Sequence, residues 1–164
     1  MLFRSFRTAS SNYRLSEFSA AVLRAQLCRL GEQNERREAR WRELTEELSG
    51  IPGVTPQGRD PRCTRHPHYL GPLLLGPEYD RRWVVAAMQA EGIPVYPLFP
   101  PVYRWPAFWD GLGSASSEER LAANCPVSER LGARSVFLRH EALLGDEQDV
   151  RDIADAFEKV LTAI

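Results

Sequence analysis

Cys63, His66 and His68 lie within a stretch of six residues and carry side chains of the kind that bind zinc. A zinc site needs four ligands at ordered spacing. Here only three candidates are close together, and Cys125 or His140 would have to join them from distant parts of the chain. We therefore interpret this cluster as polar loop residues, and the sequence predicts no metal site.

A second candidate for chemistry is the stretch from Tyr96 to Trp109, which holds six aromatic residues and Arg104. Bulky aromatic side chains in a proline-containing loop can wall a pocket for a ring-shaped substrate. They can equally pack beneath the loop as a small apolar cluster. The sequence leaves both interpretations open.

Covalent chemistry on a lysine amine has a single candidate, because Lys159 is the only lysine in the chain. It lies near the end of a strongly periodic helical segment, where a solvent-facing cation interacts favourably with the helix dipole. We expect Lys159 to be a surface residue, and the sequence assigns no catalytic residue to this chain.

The bulk composition indicates one ordinary domain with a moderate core. The chain has 164 residues, 43% of them hydrophobic and 26% charged, with a net charge of −1. That balance gives no general attraction to nucleic acid or to anionic membranes. The absence of a leader-like segment, the odd number of cysteines and the lack of a long apolar run predict a soluble, cytoplasmic protein.

Two finer expectations follow from local composition. Cys28 lies between Leu27 and Leu30, so we expect a buried structural thiol. The stretch 32–47 alternates arginines with glutamates, which is typical of a solvated helix face.

Hydrophobic spacing predicts the elements that must position these residues. Apolar residues at helical spacing predict one bent helix or two helices over 16–48, with Ser16 as the N-cap and an interruption at Gly31. Further helices are expected over 79–91, where Trp83 shares the apolar side with Val84, after Ser117, and over the last turns to residue 164. Strands are expected over 69–75, 93–99 and 135–138, the first at a sheet edge or broken at Gly71-Pro72. This order predicts an α+β fold, a small sheet with helices packed on it.

The segment that begins at Asn12 reads NYRLSEFSAAVLRAQL and resembles the signature of the DegT/DnrJ/StrS family of pyridoxal-phosphate-dependent aminotransferases. Three later stretches are similar to the same family: EGIPVYP running on to PVYRWPAFW, CPVSER, and VFLRHEALLG. They resemble most the subgroup that contains 3-amino-5-hydroxybenzoate synthase and the scyllo-inosose aminotransferases.

The resemblance implies a C-terminal domain of a fold type I pyridoxal-phosphate enzyme. Residues 1–14 would be the segment through which the chain enters from a missing large domain. Residues 15–164 would form the small domain, including the helices that contact the partner subunit. In this family the cofactor lysine lies before the signature, so the resemblance also implies that the chain is a fragment of a longer enzyme or the product of a truncated gene.

The resemblance also assigns residues to roles. Asn12, Tyr13 and Arg14 would bind pyridoxal 5'-phosphate in the complete enzyme, with Asn12 reaching the phosphate of the partner subunit. Tyr103, Arg104 and His140 would face the substrate.

The function implied is transfer of an amino group from glutamine or glutamate to a cyclic ketone in amino-sugar or antibiotic biosynthesis, with the isolated chain inactive. The partner would be a second copy, as in a homodimer, or a full-length homologue. Two alternatives stay open: a non-catalytic interaction module that pairs with a full-length homologue, and part of a dehydrating enzyme like 3-amino-5-hydroxybenzoate synthase.

Overall fold

A computed structural model of the chain describes residues 15–105 and 118–163. Its helices and strands, in chain order, are α1 (Glu17–Leu48), β1 (Val54–Pro56), β2 (Leu70–Leu75), α2 (Arg81–Ala90), β3 (Val95–Pro97), α3 (Glu118–Asn124), α4 (Pro126–Arg134), β4 (Ser135–Arg139) and α5 (Glu147–Thr162). Short 3-10 turns occupy Val102–Arg104 and His140–Leu144. The chain divides into two compact units, Met1–Glu32 and Gln33–Ile164.

α1 is one continuous helix, so the alternative of a single helix is confirmed, and an interruption at Gly31 is wrong. A glycine within a helix costs only about 1 kcal/mol relative to alanine, which is too little to stop a helix of this length. The expected N-cap is confirmed, because the Ser16 hydroxyl oxygen accepts the backbone N–H of Ser19 at 3.1 Å.

In the first unit, Leu15 and the N-terminal half of α1 place large apolar side chains in water. They are Leu15, Phe18, Val22, Leu23, Leu27 and Leu30. Cys28 is also exposed, so the expectation of a buried thiol is wrong. Helical spacing of apolar residues shows which side of a helix is apolar, and it does not show whether anything covers that side.

The second unit is built on a four-stranded antiparallel sheet with the order β1-β2-β4-β3. β2 is an internal strand, so the expected edge position or break at Gly71-Pro72 is wrong. The Pro72 carbonyl accepts the N–H of Gln57 at 3.0 Å, on the side of β2 that faces away from β4. Since the N and O atoms of a residue in an antiparallel strand point to the same side, the missing N–H of Pro72 removes no bond to β4.

The core lies between one face of this sheet and three helical surfaces, from α1, α2 and α5. In α2 the buried residues are Val84 and Met88, whereas Trp83 is 44% exposed, so its expected place on the apolar side is wrong. Gly71 lies directly beneath the Trp41 ring, where any Cβ would overlap it. These contacts fix the C-terminal half of α1 against β2.

α5 supplies the longest buried stripe of the core, and it begins at a capping box. The Asp146 carboxylate accepts from the N–H groups of Gln148 and Asp149, and the Asp149 carboxylate accepts the N–H of Asp146. Phe157, at the middle of the stripe, is fully buried. The predicted final helix is therefore confirmed.

Across residues 15–105 and 118–163, none of the helices combines the length and the apolar character needed to cross a lipid bilayer.

We predict that Phe157→Ala lowers the free energy of unfolding by about 3–5 kcal/mol, because it leaves a large cavity in the core. Urea unfolding followed by circular dichroism measures this loss. Glu158→Ala, at the exposed neighbouring position on α5, is the matched control and should change stability by less than about 0.5 kcal/mol. Equal losses in the two variants would contradict this account of the core.

Candidate functional site

Tyr103 lies in the 3-10 turn that follows β3, and it is buried, with 5% of its surface exposed. Its hydroxyl donates to Oε1 of Glu129 on α4 at 2.7 Å. Burial, together with the hydrogen bond and the negative charge of Glu129, raises the pKa of Tyr103 to about 12. Tyr103 therefore stays protonated and anchors the turn to α4.

Arg104, the next residue, is held between two carboxylates. Its Nε and Nη2 donate to Glu129 at 3.2 and 2.9 Å, and its Nη1 donates to Oε1 of Glu118 at 2.5 Å. These bonds raise the pKa of Arg104 and lower the pKa of Glu129. The guanidinium charge is thus already balanced by protein groups, and the cluster of Arg104, Glu118 and Glu129 carries a formal net charge of −1.

His140 lies in the 3-10 turn after β4 and does not join this cluster. Its ring centroid is 5.8 Å from that of Tyr69, and its Nδ1 is 3.5 Å from a carboxylate oxygen of Glu141. α4 ends where β4 begins, and His140 follows the last residue of β4. The expected substrate residues thus occupy two places in the second unit.

The three expected cofactor residues, Asn12, Tyr13 and Arg14, lie outside the described residues. Their assignment stays a prediction.

A polar cluster that the sequence did not predict joins α1 to the connection between β1 and β2. Arg37 is 7% exposed and donates through Nε to the Pro67 carbonyl at 2.9 Å. The prediction that 32–47 forms a solvated helix face is therefore wrong at Arg37. His68 is 5% exposed, and its Nε2 lies 3.0 Å from Oε2 of Glu38. Helical spacing offered a signal, because Arg37 shares one stripe with Trp41, Leu44 and Leu48.

No three His, Cys, Asp or Glu side chains among residues 15–105 and 118–163 are placed to hold a metal ion together. All three cysteines are free.

The sequence matches the model of the DegT/DnrJ/EryC1/StrS aminotransferase family over residues 3–158. The chain belongs to this aminotransferase family. The sequence-based expectation of family membership is confirmed, and it now rests on nearly the whole length of the chain.

Two curated members of the family show how much of such an enzyme the chain represents. It is 38% identical over 151 residues to 3-amino-5-hydroxybenzoate synthase from Amycolatopsis mediterranei (strain S699). The matched region covers 91% of this chain and 39% of that protein. It is 37% identical over 162 residues to L-glutamine:2-deoxy-scyllo-inosose aminotransferase from Micromonospora echinospora, covering 92% and 38%. The chain therefore spans about two fifths of the length of these relatives.

Solved structures support the fold class. The chain superposes on the crystal structure of 3-amino-5-hydroxybenzoic acid (AHBA) synthase with a TM-score of 0.89 and 35% identity, over 99% of this chain and 43% of that one. The predicted α+β class, a small sheet with helices packed on it, is confirmed.

Pyridoxal phosphate, the cofactor that the aminotransferase family implies, requires a lysine amine and donors for a phosphate dianion. Lys159 fits neither requirement. Its Nζ is paired with both carboxylate oxygens of Glu91 at 2.7 and 2.8 Å, and it borders an open groove of about 620 Å³ that also contains Asp152 and Asp155. These carboxylates would repel a phosphate. Lys159 and the groove beside it therefore do not fit this cofactor.

We predict that Glu129→Gln lowers the pKa of Tyr103 below about 12, because the variant removes the negative charge that opposes ionisation of the phenol. Titration of the tyrosine Cζ carbons by ¹³C NMR measures the shift. Glu141→Gln removes a carboxylate from the turn at the other end of β4 and is the matched control. The interpretation fails if both variants titrate like the parent chain.

Proposed function

We propose that this chain forms the C-terminal part of a pyridoxal-phosphate-dependent aminotransferase that transfers an amino group from glutamine or glutamate to the ring ketone of a sugar or cyclitol. The observation that carries the proposal is the superposition on AHBA synthase over 99% of the chain with a TM-score of 0.89. Identities of 38% to 3-amino-5-hydroxybenzoate synthase and 37% to L-glutamine:2-deoxy-scyllo-inosose aminotransferase support it.

In this proposal, the lysine that bonds the cofactor comes from outside the 164 residues, because Lys159 is paired with Glu91 in an acidic groove. Pyridoxal phosphate, when bound, supplies the electron sink that amine transfer requires. The contribution of this chain is binding and orientation. Asn12 offers a neutral amide donor and Arg14 a charged fork to the phosphate, with Tyr13 beside them.

Tyr103, Arg104 and His140 are the proposed substrate-facing residues. Because two carboxylates already balance the charge of Arg104, this guanidinium suits hydroxyl groups of an uncharged ring better than a substrate carboxylate, which Glu118 and Glu129 would repel. That electrostatic balance favours a neutral keto-sugar or cyclitol, as in the name of the Micromonospora relative. We propose glutamine as the donor because the name of the same relative includes L-glutamine.

A dehydrating activity like that of 3-amino-5-hydroxybenzoate synthase is the second candidate, favoured by the 38% identity to the Amycolatopsis protein.

A purely structural role as a module that pairs with a full-length homologue has its own support. The described part of the first unit exposes six large apolar side chains, from Leu15 to Leu30, that a partner subunit would cover. Three free cysteines are consistent with a reducing compartment such as the cytoplasm.

A fusion protein tests the proposed function. The chain is joined to the lysine-bearing part of the Amycolatopsis relative, and Asn12 or Arg14 is changed to alanine. We expect the parent fusion to bind the cofactor and to transfer ¹⁵N from amide- and amine-labelled glutamine to a cyclic ketone, as detected by mass spectrometry. Each substitution should weaken cofactor binding about ten- to a hundredfold, because it removes a hydrogen bond to a desolvated anion.

Arg24→Ala is the matched control, since Arg24 is an exposed arginine further along the same segment of chain. It should leave cofactor affinity unchanged. If Asn12→Ala and Arg14→Ala bind the cofactor like the parent while Tyr103→Ala does not, the roles belong to a different part of the chain. A folded fusion that binds the cofactor and transfers no amine to any ring ketone would contradict the proposed function.

A further inference from the structure

We propose that His66 and His68 form a proton-sensitive latch that holds the connection between β1 and β2, residues 57–69, on α1 at neutral pH and releases it in mildly acidic solution. The latch does not rest on the proposed enzymatic function, because its contacts involve none of the proposed cofactor-binding or substrate-facing residues.

α1 provides the fixed side of the latch. Arg37 is buried, and its Nη2 donates to Oδ1 of Asn34 at 2.5 Å while its Nε donates to the Pro67 carbonyl. Glu38, one residue further, accepts a hydrogen bond from Arg59 at the start of the connection. The connection is therefore tied to the helix at both of its ends.

His68 is the buried group of the latch. Its ring packs against Trp41 with a centroid separation of 5.5 Å, and its Nε2 lies 3.0 Å from Glu38. Its φ of 45° lies in the left-handed region, which is uncommon for residues other than glycine. Burial lowers the pKa of His68, and this effect outweighs the opposing influence of Glu38.

His66 is the acceptor of the latch. Its Nδ1 accepts the backbone N–H of His68 at 3.1 Å, so the docked form requires an unprotonated Nδ1. A proton on Nδ1 would leave that N–H without its acceptor. The two rings are also 4.4 Å apart, so two protonated rings would repel each other at close range.

The charges around the two rings favour release once protons bind. Facing them are the carboxylate of Glu38 and the guanidinium groups of Arg37 and Arg59, which already give one positive charge in excess. At the rim, Arg65 and Glu35 lie 3.7 Å apart and balance each other, and Asp60 pairs with Arg62 within the connection. Protonated histidines would therefore enter a cluster that is already positive.

The sign of the pH dependence follows from the lowered pKa of His68. In the docked form residues 57–69 lie on α1, and in the released form they do not. His68 binds a proton more readily in the released form than in the docked form. Docking is therefore fully favourable above the ordinary histidine pKa of about 6.5 and weakens as the pH falls from there through the lower pKa of the docked form.

Hydrogen exchange of the whole chain tests the latch at pH 7.5 and pH 5.5, with rates corrected for the intrinsic effect of pH. We expect peptides from residues 57–69 to lose about tenfold in protection at pH 5.5, the effect of one intramolecular hydrogen bond, while α5 keeps its protection. In the double variant His66→Asn, His68→Gln, amide groups replace the ring acceptor and donor and do not titrate, so this loss should disappear. Glu158→Gln, which removes an exposed titratable group from α5, should behave like the parent.

Equal protection of 57–69 at both pH values in the parent chain would overturn the proposal, as would an equal loss in the double variant. Parallel loss in α5 would also overturn it, because that pattern indicates general unfolding. If the double variant is unprotected already at pH 7.5, His66→Asn alone decides: a loss as large as in the parent overturns the latch, and a smaller one supports it.

Discussion

β4 is the strand on which the rest of the second unit depends. It is hydrogen-bonded to β2 on one side and to β3 on the other, and Val136 and Leu138 within it are fully buried. A strand held on both sides cannot shift by one residue without turning its buried side chains to the opposite face. The turns and helices attached to its two ends are therefore fixed in place.

This constraint gives the two expected substrate-facing places different characters. α4, the helix that leads into β4, presents Glu129 to both Tyr103 and Arg104, and the result is a tightly bonded cluster in which two carboxylates hold one guanidinium. At the end of β4, His140 lies beside Tyr69 and Glu141 and is only partly covered. The first place is suited to holding a loop in position, and the second leaves an imidazole accessible from solvent.

The sequence was sufficient for much of the fold. Periodic apolar residues predicted α5 and α1, and the motif beginning at Asn12 indicated the aminotransferase family. Local rules failed where tertiary contacts decide the outcome. Pro72 is tolerated inside the sheet because its missing N–H faces away from β4, a fact that depends on strand pairing and not on composition.

The candidate site was less predictable than the fold. Periodicity marks an apolar side whether or not it is covered, so Cys28 was expected inside and lies outside. Arg37 was expected on a solvated helix face, and His68 was interpreted as a polar loop residue. Both are buried, because Arg37 on α1 bonds to the β1–β2 connection and His68 in that connection bonds to α1. Arg104 likewise bonds to residues of two helices that come later in the chain, Glu118 on α3 and Glu129 on α4.

We propose that the chain completes an aminotransferase whose cofactor lysine lies outside these 164 residues. The test uses the isolated chain and its fusion to a lysine-bearing domain, each loaded with pyridoxal phosphate. Both are reduced with borohydride, and peptide mapping then locates any adduct. We expect one stoichiometric adduct on a lysine of the added domain and none on Lys159, which is paired with Glu91. A stoichiometric adduct on Lys159, accompanied by amine transfer in the isolated chain, would contradict it.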